Sequence, residues 1–140
     1  MEINYLAVLV AAIASMIIGG LWYSPVLFGN VWMKLSGITQ KDVEKAKKQG
    51  MMKSMGRSYF FMFVMCLLTA YILAVLLNLV QAVNVKTGIH LGLLIWLGFI
   101  ATVTSSSVIW EKKPFKLYII GNGYNVVNLV VMSIILTLWH

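Results

Sequence analysis

Polar and apolar positions alternate in this chain on the scale of whole helices. Residues 3–23, 59–80, 87–109 and 117–139 contain no Asp, Glu, Lys or Arg. Each run exceeds the roughly 18–20 apolar residues that carry a helix across about 30 Å of hydrocarbon. A backbone in lipid must satisfy its own hydrogen bonds, and a continuous run of this length does so as a helix. The pattern predicts an all-α membrane protein, with four transmembrane helices in an up-down bundle forming one domain over residues 1–140. Residues 25–56, between the first two spans, read as an amphipathic helical segment at the membrane face. A-I-A at 12–14 has the small residues of a leader cleavage site, but no basic residue precedes it and the apolar run continues, so residues 3–23 read as a span.

The stretch I-I-G-G-L-W-Y-S-P-V-L-F-G-N-V-W (17–32) leaves the first span and yet stays apolar. Gly19 and Gly20 loosen the last turn or admit a neighbouring helix. Ser24-Pro25 has the chemistry of a helix start, with serine as cap and proline at the first position. Phe28, Val31, Trp32 and Leu35 then recur at helical spacing. Residues 26–35 would make a helix of about 15 Å, too short to cross. This segment is expected to lie along the bilayer surface, apolar because it remains in lipid. The alternative is a re-entrant dip between spans, which requires protein to shield its backbone. Thr39 then reads as a helix cap with Asp42 three residues on, followed by lysines in the order that the helix dipole favours.

Composition agrees: 61% hydrophobic and 11% charged residues, against roughly half and a quarter in soluble domains. Charge adds orientation. Lys34, Lys41, Lys45, Lys47, Lys48, Lys53 and Arg57 lie between spans one and two, and Lys112, Lys113 and Lys116 between spans three and four. Every basic residue except Lys86 therefore falls at one end, which the positive-inside rule assigns to the cytoplasm. The expected location is the inner (plasma) membrane, multi-pass, with both termini outside the cytoplasm. Trp22, Tyr23, Trp32, Tyr59, Trp110 and Tyr118 fall at the inner headgroup level, where amphipathic rings anchor a span. Lys34, Lys45, Lys47, Lys48, Lys53 and Arg57 are candidate contacts to anionic lipid, at about 1 kcal/mol for each cation near the surface. The cations have no interleaved stacking aromatics, which argues against a nucleic-acid partner.

Polar residues within the spans gather toward the same end. Span three finishes with Thr102, Thr104, Ser105, Ser106 and Ser107, and span four opens with Asn122, Asn125 and Asn128 on one broad face. Two readings stand for Thr102, Ser105–Ser107 and the three Asn. They bond between or within helices, or they line a cytoplasm-facing cavity for a small solute. Small residues at every fourth position (Ala7, Ala11, Ser15, Gly19; Cys66, Ala70, Ala74; Gly88, Gly92) allow close helix approach, within the chain or between copies in a homo-oligomer. Short links predict that spans two and three, and three and four, are antiparallel neighbours.

No catalytic set, phosphate loop or metal motif is recognisable, and no cofactor is implied. No carboxylate stands inside a span, and His90 is about 22 Å along its helix from Ser105. Glu2, His90 and His140 share the outer side but lack a ligand spacing. An enzyme is not expected.

G-G-L-W-Y-S-P-V-L-F-G-N-V-W-M-K (19–34), together with W-E-K-K-P-F-K-L-Y-I-I-G-N-G-Y (110–124), resembles the small prokaryotic membrane proteins grouped as domain of unknown function 1761. The resemblance covers essentially the whole chain. It implies a polytopic inner-membrane protein and carries no activity with it. The functional expectation is a non-enzymatic, self-associating bundle bound to anionic lipid. The alternative is a small-solute carrier or channel.

Overall fold

Asn4 starts the first span: its Oδ1 accepts from the amides of Leu6 (3.1 Å) and Ala7 (3.2 Å), two of the donors a helix start leaves open. The computed structural model describes residues 3–48 and 51–139, without the side chains of residues 40, 43, 46, 47 and 51–55. Glu2, His140 and the side chains of Lys47 and Lys53 therefore lie outside the described residues. Helix α1 (Tyr5–Trp22) is followed by a turn and by the short α2 (Gly29–Ser36). The latter stops at Gly37, whose φ of 78° is the left-handed conformation that glycine adopts at little cost. Next come α3 (Gln40–Lys48) and α4 (Met51–Leu79). Helix α5 (Val85–Ile109) opens on Asn84, whose Oδ1 accepts from the Thr87 amide at 2.9 Å. Helix α6 (Phe115–Leu138) follows Pro114. Among the described residues four helices, α1, α4 from Gly56 onward, α5 and α6, are long and apolar enough to cross a membrane.

The four spans alternate in direction. Asn4 Nδ2 donates to the Trp139 carbonyl at one end, and Trp22 Nε1 donates to the Ile120 carbonyl at the other (2.9 Å), so α1 and α6 run antiparallel. In space the order is α4, α1, α6, α5. The core joins Ala7, Val8, Ala11 and Ala12 of α1 with Cys66, Ala70, Leu73, Ala74 and Leu77 of α4 and Leu129, Met132 and Leu136 of α6. Burial follows that order: 39% of the α6 span is buried, against 11% of α5. Helix α6 is thus central and α5 peripheral.

Two expectations are corrected. First, α5 neighbours α6, but α4 packs on α1 rather than on α5. The link after α4 is short, yet the small-residue face of α4 is spent on α1. Between α4 and α5 lies an apolar groove of about 280 Å³ with Leu129 on its floor. Second, Ser24-Pro25 does not start a helix. The Ser24 hydroxyl donates to the Leu21 carbonyl (2.7 Å), the Ser24 carbonyl accepts from Gly29 (2.8 Å), and α2 begins only at Gly29. Helix α2 packs against α6, and among the described residues Gly29 is the one it buries fully.

The expected cap of α3 is present. Asp42 Oδ2 accepts from the Thr39 amide (3.0 Å), and the Asp42 amide donates to Thr39 Oγ1 (3.3 Å). The backbone bond from Thr39, then its side-chain bond and the charge of Lys45, hold the Asp42 carboxyl below its ordinary value of 3.8. A depressed carboxyl stabilises the folded cap above the ordinary value and loses that contribution as pH falls through the depressed one. The start of α3 is therefore expected to fray only below about pH 4. Hydrogen exchange at the Thr39 amide checks this, and Asp42→Asn should bring the same fraying to neutral pH.

Candidate functional site

The turn that follows α1 builds a pocket from aromatic rings. The Phe28 amide donates to the Trp22 carbonyl (3.0 Å) and folds the chain back on the end of α1. The Trp22 ring then lies 4.8 Å from Phe28, centroid to centroid, and against Gly123 of α6, where a Cβ would come within 2.8 Å of it. Beside it the Tyr23 ring meets Trp32 of α2 edge-on (5.3 Å) and Tyr124 of α6 (5.8 Å). The rings of Tyr23, Trp32 and Tyr124, with Met16, Gly19 and Gly20 of α1 and Tyr59 and Met62 of α4, line a cavity of about 410 Å³. Gly20, Tyr59 and Met62 are exposed, so the cavity opens on the surface between α1 and α4.

Beside this cavity is a buried polar knot. Ser15 is fully buried, and its Oγ stands 3.3 Å from both Cys66 Sγ and the Tyr124 hydroxyl. Tyr124 also donates to the Ser15 carbonyl (3.2 Å), and the Cys66 thiol reaches Met16 Sδ at 3.9 Å. The hydroxyls and the thiol thus satisfy one another in the buried interior. Among the described residues there is no cluster of three or more His, Cys, Asp or Glu able to hold a metal ion. Aromatic spacing marked the rim of this site in the sequence; Ser15, Cys66, Met16 and Met62 were missed. Their signal was the four-residue step from Met62 to Cys66 and from Ser15 to Gly19, which puts each pair on one helix face.

The anchors expected at the headgroup level divide. Tyr59 and Trp110 are exposed, Trp22 is turned onto Phe28, Tyr23 and Trp32 are turned onto each other, and Tyr118 donates its hydroxyl to the Ala101 carbonyl at 2.6 Å. That carbonyl ends a π-helical turn in α5, Trp96–Ala101, whose wider winding leaves backbone acceptors for side chains to fill. Lys34, Lys45, Lys48 and Arg57 are exposed, and the Arg57 guanidinium sits 5.7 Å from the centre of the Phe61 ring.

The polar cluster of spans three and four has a different form from the pocket. Thr102, Ser105 and Ser107 donate to carbonyls of their own helix, those of Gly98, Thr102 and Thr104, and Ser106 is exposed. Asn122 is buried and fully engaged: Oδ1 accepts from Trp96 Nε1 (3.1 Å), and Nδ2 donates to Thr104 Oγ1 and to the Tyr118 carbonyl (both 3.1 Å). Asn125 is half-buried. Asn128 is buried, and among the described residues its Oδ1 has no hydrogen-bond partner. His90 is exposed at the far end of α5, beside Lys86 and Thr87.

The aromatic turn and the glycine-backed face it docks on are built from the two segments that carried the family resemblance. No curated protein and no solved structure matches the chain. The model of the family described as protein of unknown function (DUF1761) matches residues 6–137, nearly the whole chain, and the protein belongs to that family.

Proposed function

We propose that this protein is a non-enzymatic membrane protein that holds an anionic lipid at its basic end, with the acyl chain in the cavity between α1 and α4 and the headgroup among the cations. The position of the cavity carries the reading. Its mouth lies where the spans meet the lysine-rich segment, with Lys34 two residues past Trp32 and Arg57 two residues before Tyr59. The walls are aromatic and thioether groups, which suit a hydrocarbon chain. Among the described residues no acid lines the cavity, so a lipophilic cation would find no counter-charge from them and would meet repulsion from the nearby cations. The positive-inside rule places this end at the cytoplasmic leaflet, where anionic lipid supplies the attraction.

Gly20 provides the test. It lines the cavity, and a Cβ there meets no atom within 4 Å, so a larger side chain fills the cleft without disturbing the packing. Native mass spectrometry of the protein extracted from vesicles of phosphatidylglycerol and phosphatidylcholine should show preferential retention of the anionic lipid. Gly20→Leu should reduce that retention about 10-fold, the loss of roughly 1.4 kcal/mol of contact. Lys34→Gln should reduce the preference about 5-fold, matching about 1 kcal/mol for one cation. Equal retention of both lipids, or retention untouched by Gly20→Leu, would remove the reading.

A further inference from the structure

We infer that the pocket at the end of the bundle remote from the lysine-rich segment binds a neutral, hydroxyl-rich ring, a monosaccharide in chemical class. It holds about 330 Å³ between the start of α1, the end of α4 and the end of α6, near the lower bound of small-ligand sites, so it takes one ring and not a chain. Asn4, Asn78, Gln81 and Trp139 are its polar lining, and the buried Leu77 and Leu136 are apolar walls. Asn4 Nδ2 donates to the Trp139 carbonyl at 3.3 Å and ties α1 to the end of α6 there. Gln81 is the unusual residue. The Gln81 amide donates to the Asn78 carbonyl (3.1 Å) and the Ala82 amide to the Leu77 carbonyl (2.9 Å), the pair of bonds that closes a helix on a left-handed residue. Helix α2 ends on the same pair of bonds with Gly37 in that place. At the end of α4 the place is taken by glutamine, at φ 54°. A side chain is held here against its backbone preference, and Gln81 lines the pocket. Strain of this kind is retained where a side chain serves a ligand.

Hydrogen-bond chemistry selects the ligand. A carboxamide presents N–H donors and a carbonyl acceptor side by side, and an indole adds one N–H. A hydroxyl both donates and accepts, so it answers both halves of an amide. A carboxylate or phosphate only accepts and an ammonium only donates; either would also lack a counter-charge, since none of the described lining residues is charged. A hydrocarbon chain would answer none of these groups. The leucine walls and the flat indole suit the C–H face of a sugar ring. The positive-inside rule puts this end outside the cytoplasm, where a free sugar and the sugar headgroup of an outer-leaflet lipid both reach it. The pocket is at the opposite end of the bundle from the cavity lined by Tyr23 and Trp32, and it does not depend on the anionic-lipid reading.

The full chain, extracted in a sugar-free detergent and placed in phosphatidylcholine nanodiscs, is probed by saturation-transfer NMR with D-glucose, D-galactose and D-mannose, and with acetate as the charged control. Monoglucosyl diacylglycerol added to the discs is followed by its retention in native mass spectrometry. The expected result is saturable binding of a sugar probe and none of acetate. A signal from a free hexose identifies a soluble sugar as the source, and retention of the glucolipid alone identifies a headgroup. Gln81→Gly should weaken binding by more than about 10-fold, the loss of the hydrogen bonds of one amide. The same variant should raise the melting temperature, because glycine relaxes the left-handed position, so lost binding cannot be lost fold. Trp139→Ala should weaken binding as well. Wild-type binding in Gln81→Gly, or acetate saturating as a hexose does, overturns the site. Failure of all three hexoses and of the glucolipid to bind overturns it too.

Discussion

Gly29→Ala is expected to destabilise the protein by about 1–3 kcal/mol, the range for forcing extra volume into a filled site, with a tendency to the upper end. A Cβ at this position would lie 2.3 Å from the Tyr23 carbonyl oxygen and 2.6 Å from the carbonyl carbon and oxygen of Ser24. All three are backbone atoms, so no rotamer change relieves the clash and the turn itself must open. Opening it stretches the 2.8 Å bond from the Gly29 amide to Ser24 and the 3.0 Å bond from Phe28 to Trp22. It also lifts Trp32 away from Tyr23, removing one wall of the cavity. Thermal unfolding in detergent, followed through tryptophan fluorescence, reads both effects. The control is Gly98→Ala, where a Cβ meets nothing within 4 Å. Replacing a helical glycine there should be neutral or stabilising by up to about 1 kcal/mol. Equal melting of the two variants would show that the turn is not under this steric constraint.

The spans were legible because the charges stop where the lipid begins: Glu2, Arg57, Lys86 and Lys116 each stand just outside an apolar run. Helix neighbours were less legible. Spans one to three each advertise a small-residue face, but nothing in one chain's sequence says which faces pair. Cys66 and Ala70 share a core with α1, and Gly88 and Gly92 meet α6, so α4 and α5 part company despite their short link. The Ser-Thr run at 102–107 was visible as polarity. Thr102, Ser105 and Ser107 reach backwards to carbonyls three or four residues away on their own helix. The cavity could not be read, because it is enclosed by a turn. Ser24 carries the residue type of a cap, but its hydroxyl and carbonyl both bind backbone, and this chemistry folds α2 back over Tyr23. The position of Trp32 depends on that three-dimensional reversal, which no periodicity encodes.

Gly92→Leu is the second substitution with a large expected effect, because α5 has so little else to hold it. In lipid the hydrophobic effect does not draw helices together, and association rests on close packing and interhelical hydrogen bonds. Helix α5 spends its packing on α6. At Gly92 a Cβ would come within 2.8 Å of Ser133 Oγ and 3.3 Å of the Leu129 carbonyl. One turn earlier, Gly88 leaves only 2.5 Å to Thr137 Cγ2. Ser133 is fully buried, and the Thr137 hydroxyl is tied to the Ser133 carbonyl at 2.8 Å, so neither side chain has free space to retreat into. A leucine at 92 must push the helices apart, at about 1–3 kcal/mol, and the separation weakens the Trp96–Asn122 bond one turn further along. Because α1, α4 and α6 keep their own shared core, the expected failure is local: α5 detaches while the other three spans remain packed. Proteolysis in the link at residues 80–84 should accelerate several-fold, while the Tyr23–Trp32 region keeps its fluorescence. If α1 and α4 come apart at the same denaturant concentration as α5, the spans form one cooperative unit, and the peripheral place assigned to α5 is wrong.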